Sequence, residues 1–236
     1  MLRTVIFDMF ETLITHYQSP LYFSAQMAED AGLPTEQFRL LWRGTEEART
    51  VGKMTLEEAL EMILREGGRY SDRLVRKMAD KRLSVKEDCF RRLHPEILPL
   101  LHGLKEKGLM IGLISNCFSE EAAAIRHSDL FPFFDAACLS WELGVRKPDE
   151  AIFRRCADML SAEPEECLYV GDGGSCELET ARALGMTALQ AAWYFGAGEP
   201  HPYERKPDFP QAEAPLEVLT FLEGQTALRR KEESTP

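Results

Sequence analysis

Four short segments deliver chemically able side chains straight out of apolar runs. The first, Val5-Ile6-Phe7-Asp8-Met9-Phe10-Glu11-Thr12-Leu13, brings an acid to the end of such a run. In an open α/β sheet the carboxyl end of a strand faces the ligand crevice, where Asp8 serves as a nucleophile or as a metal ligand. The second, Leu113-Ile114-Ser115-Asn116, supplies a hydroxyl and an amide ahead of a helix that Ser119 is placed to cap. Free N–H groups at a helix N-terminus beside a hydroxyl favour a bound anion. The third, Gly144-Val145-Arg146-Lys147-Pro148-Asp149, sets Lys147 before Pro148, a residue suited to the first turn of a helix. An ammonium held there neutralises Asp8 and the charge developing on a transferred group, whereas Arg146 reads as solvated surface. The fourth, Leu168-Tyr169-Val170-Gly171-Asp172-Gly173-Gly174-Ser175-Cys176-Glu177, places Asp172 and Glu177 five residues apart across a glycine turn. Acids from neighbouring strands, with backbone carbonyls and water, form an oxygen cage of the kind Mg²⁺ takes. Each segment alone also reads plainly as a turn-capping acid, a turn, a surface lysine or a pair of turn glycines. Convergence on one sheet edge selects the chemical reading.

That convergence requires a parallel sheet. Five apolar runs read as strands, Thr4 to Met9, Leu109 to Ile114, Ala136 to Leu139, Cys167 to Gly171 and Thr187 to Ala192. They are unbroken rather than alternating, as in a sheet covered on both faces. Helical patterns lie between the later runs, at Glu96 to Lys107, Glu120 to Arg126, Asp149 to Leu160 and Cys176 to Leu184, with Gly108 and Gly185 at two helix ends. The fold class is therefore α/β, a Rossmann-like parallel sheet. The first interval, from Met9 to Leu109, is too long for one crossover and reads as helices at Leu21 to Ala31, Glu36 to Arg49, Leu56 to Glu66 and Asp72 to Phe90. Thr55 and Glu58 match a capping box, backed by an apolar stripe of Leu56, Ala59, Leu60, Ile63 and Leu64. The expected division is a core of residues 1–14 and 93–225, an inserted four-helix module of residues 15–92 that overhangs the crevice, and a mobile tail of residues 226–236.

Composition narrows the function classes. With 28 Lys and Arg against 39 Asp and Glu, the net charge is −11, which argues against a basic nucleic-acid-binding face. The apolar runs are too short for a membrane span, and the first residues lack the apolar centre of a secretion signal, so a cytoplasmic protein is expected. Cys89, Cys117, Cys138, Cys156, Cys167 and Cys176 show no CxxC pairing and read as free thiols, mostly buried, rather than as disulfides or zinc ligands. No 20- to 50-residue repeat is visible, and nothing in the sequence sets an oligomeric state.

Taken in order, the four segments resemble the signature motifs of the haloacid dehalogenase superfamily, over Val5 to Met186 and including the position of the helical insert, the family's type 1 cap. The resemblance implies that Asp8 is the nucleophile, that Ser115 and Asn116 hold the substrate anion and that Lys147 stabilises the intermediate. It further implies that Asp172 binds Mg²⁺ with Asp8 and the Phe10 carbonyl, Glu177 supporting the metal or Lys147. The implied substrate is a small phosphorylated metabolite. One position departs from the family's phosphatases, which carry a general acid/base Asp two residues after the nucleophile, where this chain has Phe10. The metal-independent 2-haloacid dehalogenase branch has Tyr there, which makes such an enzyme one alternative and a catalytically weak metabolite-binding protein another. The Gly-Asp-Gly-Gly segment resembles the metal-binding form and favours the phosphatase. Glu11 is acidic but would have to turn toward the crevice to replace the missing acid. Arg43, Arg49, Lys53 and His16 are candidates to meet the substrate's remote end, and Trp42 is a candidate pocket wall or core aromatic.

Overall fold

The computed structural model of the chain describes residues 2–196 and 204–233. The apolar runs form the strands β1 (Thr4–Phe7), β2 (Met110–Ser115), β3 (Ala136–Leu139), β4 (Cys167–Gly171) and β5 (Thr187–Ala191), with a two-residue β6 (Gln211–Ala212) that no apolar run announced. The sheet order is β3-β2-β1-β4-β5-β6, every neighbouring pair parallel. Phe7 is level with Leu113 on one side and Val170 on the other. Asp8, one residue beyond this row, leaves β1 at the same edge where Asp172 leaves β4. The chain winds outward from β1 to β2 and β3, then returns to β4 on β1's other side, so this edge is the topological switch point.

Between β1 and β2 lie α1 (Ser24–Ala31), α2 (Thr35–Gly44), α3 (Glu46–Thr50), α4 (Leu56–Glu66) and α5 (Asp72–Cys89). The helix expected over Glu36 to Arg49 is two helices. Gly44 is a weak helix former, and the Thr45 hydroxyl takes the Trp42 carbonyl at 2.8 Å, which ends α2. The first insert helix begins at Ser24 rather than Leu21, because Gln26 Oε1 accepts the Phe23 N–H at 3.0 Å and fixes the start there. Thr55 caps α4 as its sequence predicts, the reciprocal Glu58 bond to the Thr55 N–H measuring 2.8 Å. Met27, Phe38, Leu60, Ile63 and Met78 belong to a hydrophobic cluster of the insert's own.

The remaining helices are α6 (Ile97–Glu106), α7 (Ser119–His127), α8 (Ser140–Leu143), α9 (Glu150–Met159), α10 (Glu177–Ala183) and α11 (Glu217–Glu233). One face of the sheet packs on α6, α7 and α11, the other on α9 and α10, giving two core clusters. Three local expectations change. Pro148 precedes rather than opens α9, whose cap is Asp149, its carboxylate accepting the Ala151 N–H at 2.9 Å. Ser119 is the first residue of α7, not its cap, and its hydroxyl accepts the Leu56 N–H of the insert at 3.0 Å. The helix begun by Leu216 to Leu222 continues to Glu233, so much of the segment expected as a tail is helical; residues 234–236 lie outside the described residues. Five cysteines are buried and Cys176 is exposed, all as free thiols. Among the described residues no helix is long and apolar enough to cross a membrane.

The insert is joined to the core through the start of α7, where four consecutive residues each engage it. Phe118 stacks under the Arg49 guanidinium at 3.9 Å, Ser119 holds Leu56, Glu120 pairs with Arg82 at 2.6 Å and Glu121 pairs with Lys86 at 2.6 Å. Both ion pairs are almost fully buried, and Arg82 also donates to the Tyr22 carbonyl at 2.8 Å. Removing one partner of a buried pair leaves a charge without solvent or counter-ion. Arg82→Met is therefore expected to cost about 3–5 kcal/mol in urea unfolding, and Arg82→Met with Glu120→Leu distinctly less than the sum of the two single changes.

Candidate active site

Asp8 leaves β1 with its N–H still bonded to the Val170 carbonyl at 2.9 Å, which seats the carboxyl group between the β1 and β4 tips. Lys147 Nζ lies 2.6 Å from Asp8 Oδ1 and also donates to Glu177 Oε2 and, at 3.3 Å, to the Tyr169 hydroxyl. Tyr169 in turn donates to Glu177 Oε2 at 2.9 Å. Asn116 grips the backbone of Lys147 on both sides, accepting its N–H at 2.8 Å and donating to its carbonyl at 3.0 Å. Two glycines make the fourth segment possible. A side chain at Gly171 would lie 2.0 Å from Glu177 Oε1, and Gly173 takes φ +99°, which other residues avoid. Asp172 Oδ1 accepts the Gly174 N–H at 2.9 Å, while its carbonyl accepts from the buried Gln190 amide at 2.8 Å.

Asp8, Asp172 and Glu177 bring carboxylate oxygens within 4.8 Å of one another, all three buried. Burial raises Asp8 to about 7, and Glu177 adds to this while Lys147 opposes it. Burial likewise holds Asp172 well above the usual carboxylate range, with Glu177 and Asp8 adding to the rise. Burial works to lower Lys147, but Asp8 and Glu177 outweigh it and hold the ammonium above its ordinary range. Two carboxylates already share this ammonium and a third stands beside them. Such a cluster suits a divalent cation, and its donor set of hard oxygens suits Mg²⁺.

The cluster forms the floor of a cavity of about 300 Å³. One wall is a chain of rings. Phe10 stacks on His16 at 4.7 Å, His16 meets the edge of Phe23 at 5.9 Å, and Tyr17 lies against Phe23 at 6.4 Å. The lining also includes Glu46 and Thr50 from α3, with Phe118 and Arg146. Glu11, at φ +58°, has both carboxylate oxygens tied into its own loop by the Thr15 hydroxyl at 2.5 Å and the His16 N–H at 3.0 Å, so it is not presented to Asp8 as a substitute acid. His16 has Nε2 3.3 Å from Lys86 Nζ and Nδ1 3.6 Å from Cys89 Sγ. Burial, with Lys86 adding, holds its pKa well below the ordinary value, so the ring meets the cavity as a neutral surface.

The structure thus brings together Asp8, Phe10, Asn116, Lys147, Asp172 and Glu177 around one cavity, and places others elsewhere. Ser115 is fully buried at the tip of β2, does not line the cavity, and its hydroxyl has no hydrogen-bond partner among the described residues. Arg43 and Lys53 are exposed and away from the cavity. Arg49 is buried between the Trp42 and Phe118 rings, 3.6 and 3.9 Å from their centroids, which makes Trp42 a packing aromatic rather than a pocket wall. Arg146, read from the sequence as solvated, lines the cavity and pairs with Glu47 at 3.0 Å. Tyr169 and Gln190 were not among the expected site residues. Both sit inside apolar strands, where only a polar group interrupting the run marks them.

Carboxylates and a lysine thus converge on the switch point of a parallel α/β sheet, beneath a helical insert. The sequence model of the haloacid dehalogenase-like hydrolases matches residues 2–185, and the chain belongs to that family. It is 26% identical over 242 residues to a glyceraldehyde 3-phosphate phosphatase of Methanopyrus kandleri, covering 94% of this chain and 97% of the relative. In fold it is similar to a 2-haloacid dehalogenase from Pseudomonas syringae pv. Tomato, at TM-score 0.66 and 23% identity over 95% of this chain and 100% of that one. It is also similar to a HAD phosphatase from Thermococcus onnurineus, at TM-score 0.64 and 16% identity over 94% of this chain and 98% of that one.

The crowding of carboxylates has a measurable consequence. A native carboxyl group raised to about 7 binds protons that the unfolded chain, near 4, has released; its contribution to stability is therefore present at low pH and lost as pH rises between these values. In metal-free buffer at pH 8, Asp8→Asn is expected to unfold at a higher temperature than the unsubstituted protein, by roughly 1–3 kcal/mol in stability, with the gap closing toward pH 5.

Proposed function

We propose that the protein is a Mg²⁺-dependent phosphatase that transfers the phosphoryl group of a small phosphorylated metabolite to Asp8 and then to water. The observation that carries this reading is the buried cluster, in which the Asp8 carboxylate stands 2.6 Å from the Lys147 ammonium with Asp172 and Glu177 alongside. Asp8, Asp172 and the Phe10 carbonyl would hold Mg²⁺, which when bound supplies charge neutralisation for the phosphate. Asp8 attacks phosphorus and forms an aspartyl phosphate. Lys147 orients Asp8 and stabilises charge on the transferred group. Glu177 and Tyr169 fix the ammonium, and Asn116 fixes the backbone that carries it, so its part is to position Lys147 while its edge meets the substrate. Ser115, buried and off the cavity wall, is given no contact with the anion in this assignment. Water then cleaves the acyl phosphate and regenerates Asp8. The helical insert acts as the cap, and a cavity of about 300 Å³, at the small end for ligand pockets, suits a small substrate. The phosphatase name of the Methanopyrus kandleri relative supports the same reaction. The assignment carries a cytoplasmic location and involves neither nucleic acid nor membrane.

Phe10 alone favours a second reading, attack of Asp8 on carbon with halide as leaving group. The two separate cleanly. Hydrolysis of p-nitrophenyl phosphate is expected to require Mg²⁺, to stop with EDTA and to fall at least about 10³-fold in Asp8→Asn. Chloride release from 2-chloropropionate that survives EDTA, with no phosphate released from p-nitrophenyl phosphate, would replace the phosphatase by the dehalogenase.

A further inference from the structure

With Phe10 at the second position after Asp8, a phosphatase must protonate its leaving oxygen from elsewhere or be confined to leaving groups that need no proton. The polar groups on the cavity wall narrow the source. Glu11 is occupied by Thr15 and the His16 N–H, and both His16 nitrogens face Lys86 and Cys89. The Glu121 carboxylate is held by Lys86 and by the Phe118 N–H at 3.0 Å. The Thr50 hydroxyl donates to the Glu46 carbonyl at 2.8 Å, and the Ser175 hydroxyl is engaged by the Asn116 amide at 3.3 Å. Arg146 is paired with Glu47. Two groups on the wall stand apart, the Glu46 carboxylate and the Tyr17 hydroxyl, and neither has a hydrogen-bond partner among the described residues.

Glu46 is exposed on α3 of the insert, within electrostatic reach of Arg49. Tyr17 lies in the segment that leaves the Asp8 loop, half-buried at the end of the ring wall, with its phenol within electrostatic reach of Glu11 and Asp172. Among the O–H groups that line the cavity it is the one whose hydroxyl has no hydrogen-bond partner among the described residues, Thr50 and Ser175 each being engaged.

Resting on the phosphatase reading, we propose that Tyr17 is the proton donor that replaces the missing acid at position 10. As the bond from Asp8 Oδ to phosphorus forms and the bond from phosphorus to the leaving oxygen breaks, the Tyr17 hydroxyl proton passes to that oxygen, giving the free alcohol, the aspartyl phosphate and a Tyr17 phenolate. The phenolate then takes a proton from the water that attacks the aspartyl phosphate. Inorganic phosphate departs, and Asp8 and Tyr17 return to their starting states.

A general acid matters in proportion to the basicity of the leaving group, which makes the leaving-group dependence of kcat/KM the decisive readout. The experiment measures kcat/KM with Mg²⁺ on 2,4-dinitrophenyl, p-nitrophenyl, phenyl and β-glyceryl phosphate for the unsubstituted protein, Tyr17→Phe, Glu46→Gln and the double variant Phe10→Asp, Tyr17→Phe. Tyr17→Phe is expected to lose at least tenfold more on phenyl and β-glyceryl phosphate than on dinitrophenyl phosphate, and Phe10→Asp in that background is expected to restore most of the loss. An equal loss on every substrate would reduce Tyr17 to a packing residue and overturn the proposal. So would the selective loss appearing in Glu46→Gln instead. Absence of Mg²⁺-dependent activity on dinitrophenyl phosphate in the unsubstituted protein would instead remove the phosphatase reading itself.

Discussion

The Lys147 ammonium sits almost fully buried between Asp8 and Glu177, and the rest of the site is arranged around that shared charge. A buried ion pair repays its desolvation only with good geometry and with every remaining hydrogen-bonding position filled. Asn116 meets the first condition by holding the Lys147 backbone at both its N–H and its carbonyl, which ties the β2 tip to the loop before α9. Tyr169 meets the second by bonding both the ammonium and Glu177 from inside β4. Gly171 completes the arrangement by leaving room for the Glu177 carboxylate that a methyl group would fill. The three parallel strands β2, β1 and β4 thus converge on one cation, and the cost of crowding a further carboxylate beside it is met by chemistry rather than by stability.

The same stretch of chain that supplies Asn116 also anchors the insert. After Cys117 come Phe118, Ser119, Glu120 and Glu121, each in contact with an insert residue. Because the Glu121 pair with Lys86 lies against His16, and His16 stacks on Phe10, the docking network ends at the wall of the cavity itself. Any motion that parts α5 from α7 would expose two buried ion pairs and open this wall in one step. Insert position and cavity shape are consequently one variable, carried by a continuous set of contacts from Arg82 to Phe10.

Much of this was legible in the residues, for identifiable reasons. The strands could be read because a sheet covered on both faces writes itself as unbroken apolar runs, and their parallel order brought Asp8, Lys147, Asp172 and Glu177 to one edge. Phe10 was legible as a departure, and Thr55 with Glu58 as a helix start. What escaped were features decided by tertiary neighbours. Ser119 reads as a helix cap, yet the Leu56 N–H of the insert, distant in sequence, competes successfully for its hydroxyl. Arg49 reads as a substrate-facing charge, yet two ring faces offer it a better environment than the cavity. Tyr169 and Gln190 are invisible within β-prone segments, since their value lies in partners from other strands and loops. β6 is two residues long and carries no pattern at all.

Replacing an acid by Phe10 changes more than one proton donor. In the observed arrangement the ring begins an aromatic wall that continues through His16 and Phe23 to Tyr17, and His16 can serve in that wall because burial and the Lys86 ammonium keep it uncharged. A carboxylate at position 10 would stand beside Asp8 and add a further negative charge to a floor that already crowds three. Phe10 avoids that repulsion, and its backbone carbonyl is retained whatever its side chain. The side chain at position 10 thus bears on proton transfer and the backbone carbonyl does not. On the phosphatase reading proposed above, coordination would stay on the backbone of the Asp8 loop, while proton transfer would fall to a group on the wall, for which the polar end of Tyr17 is the proposed source.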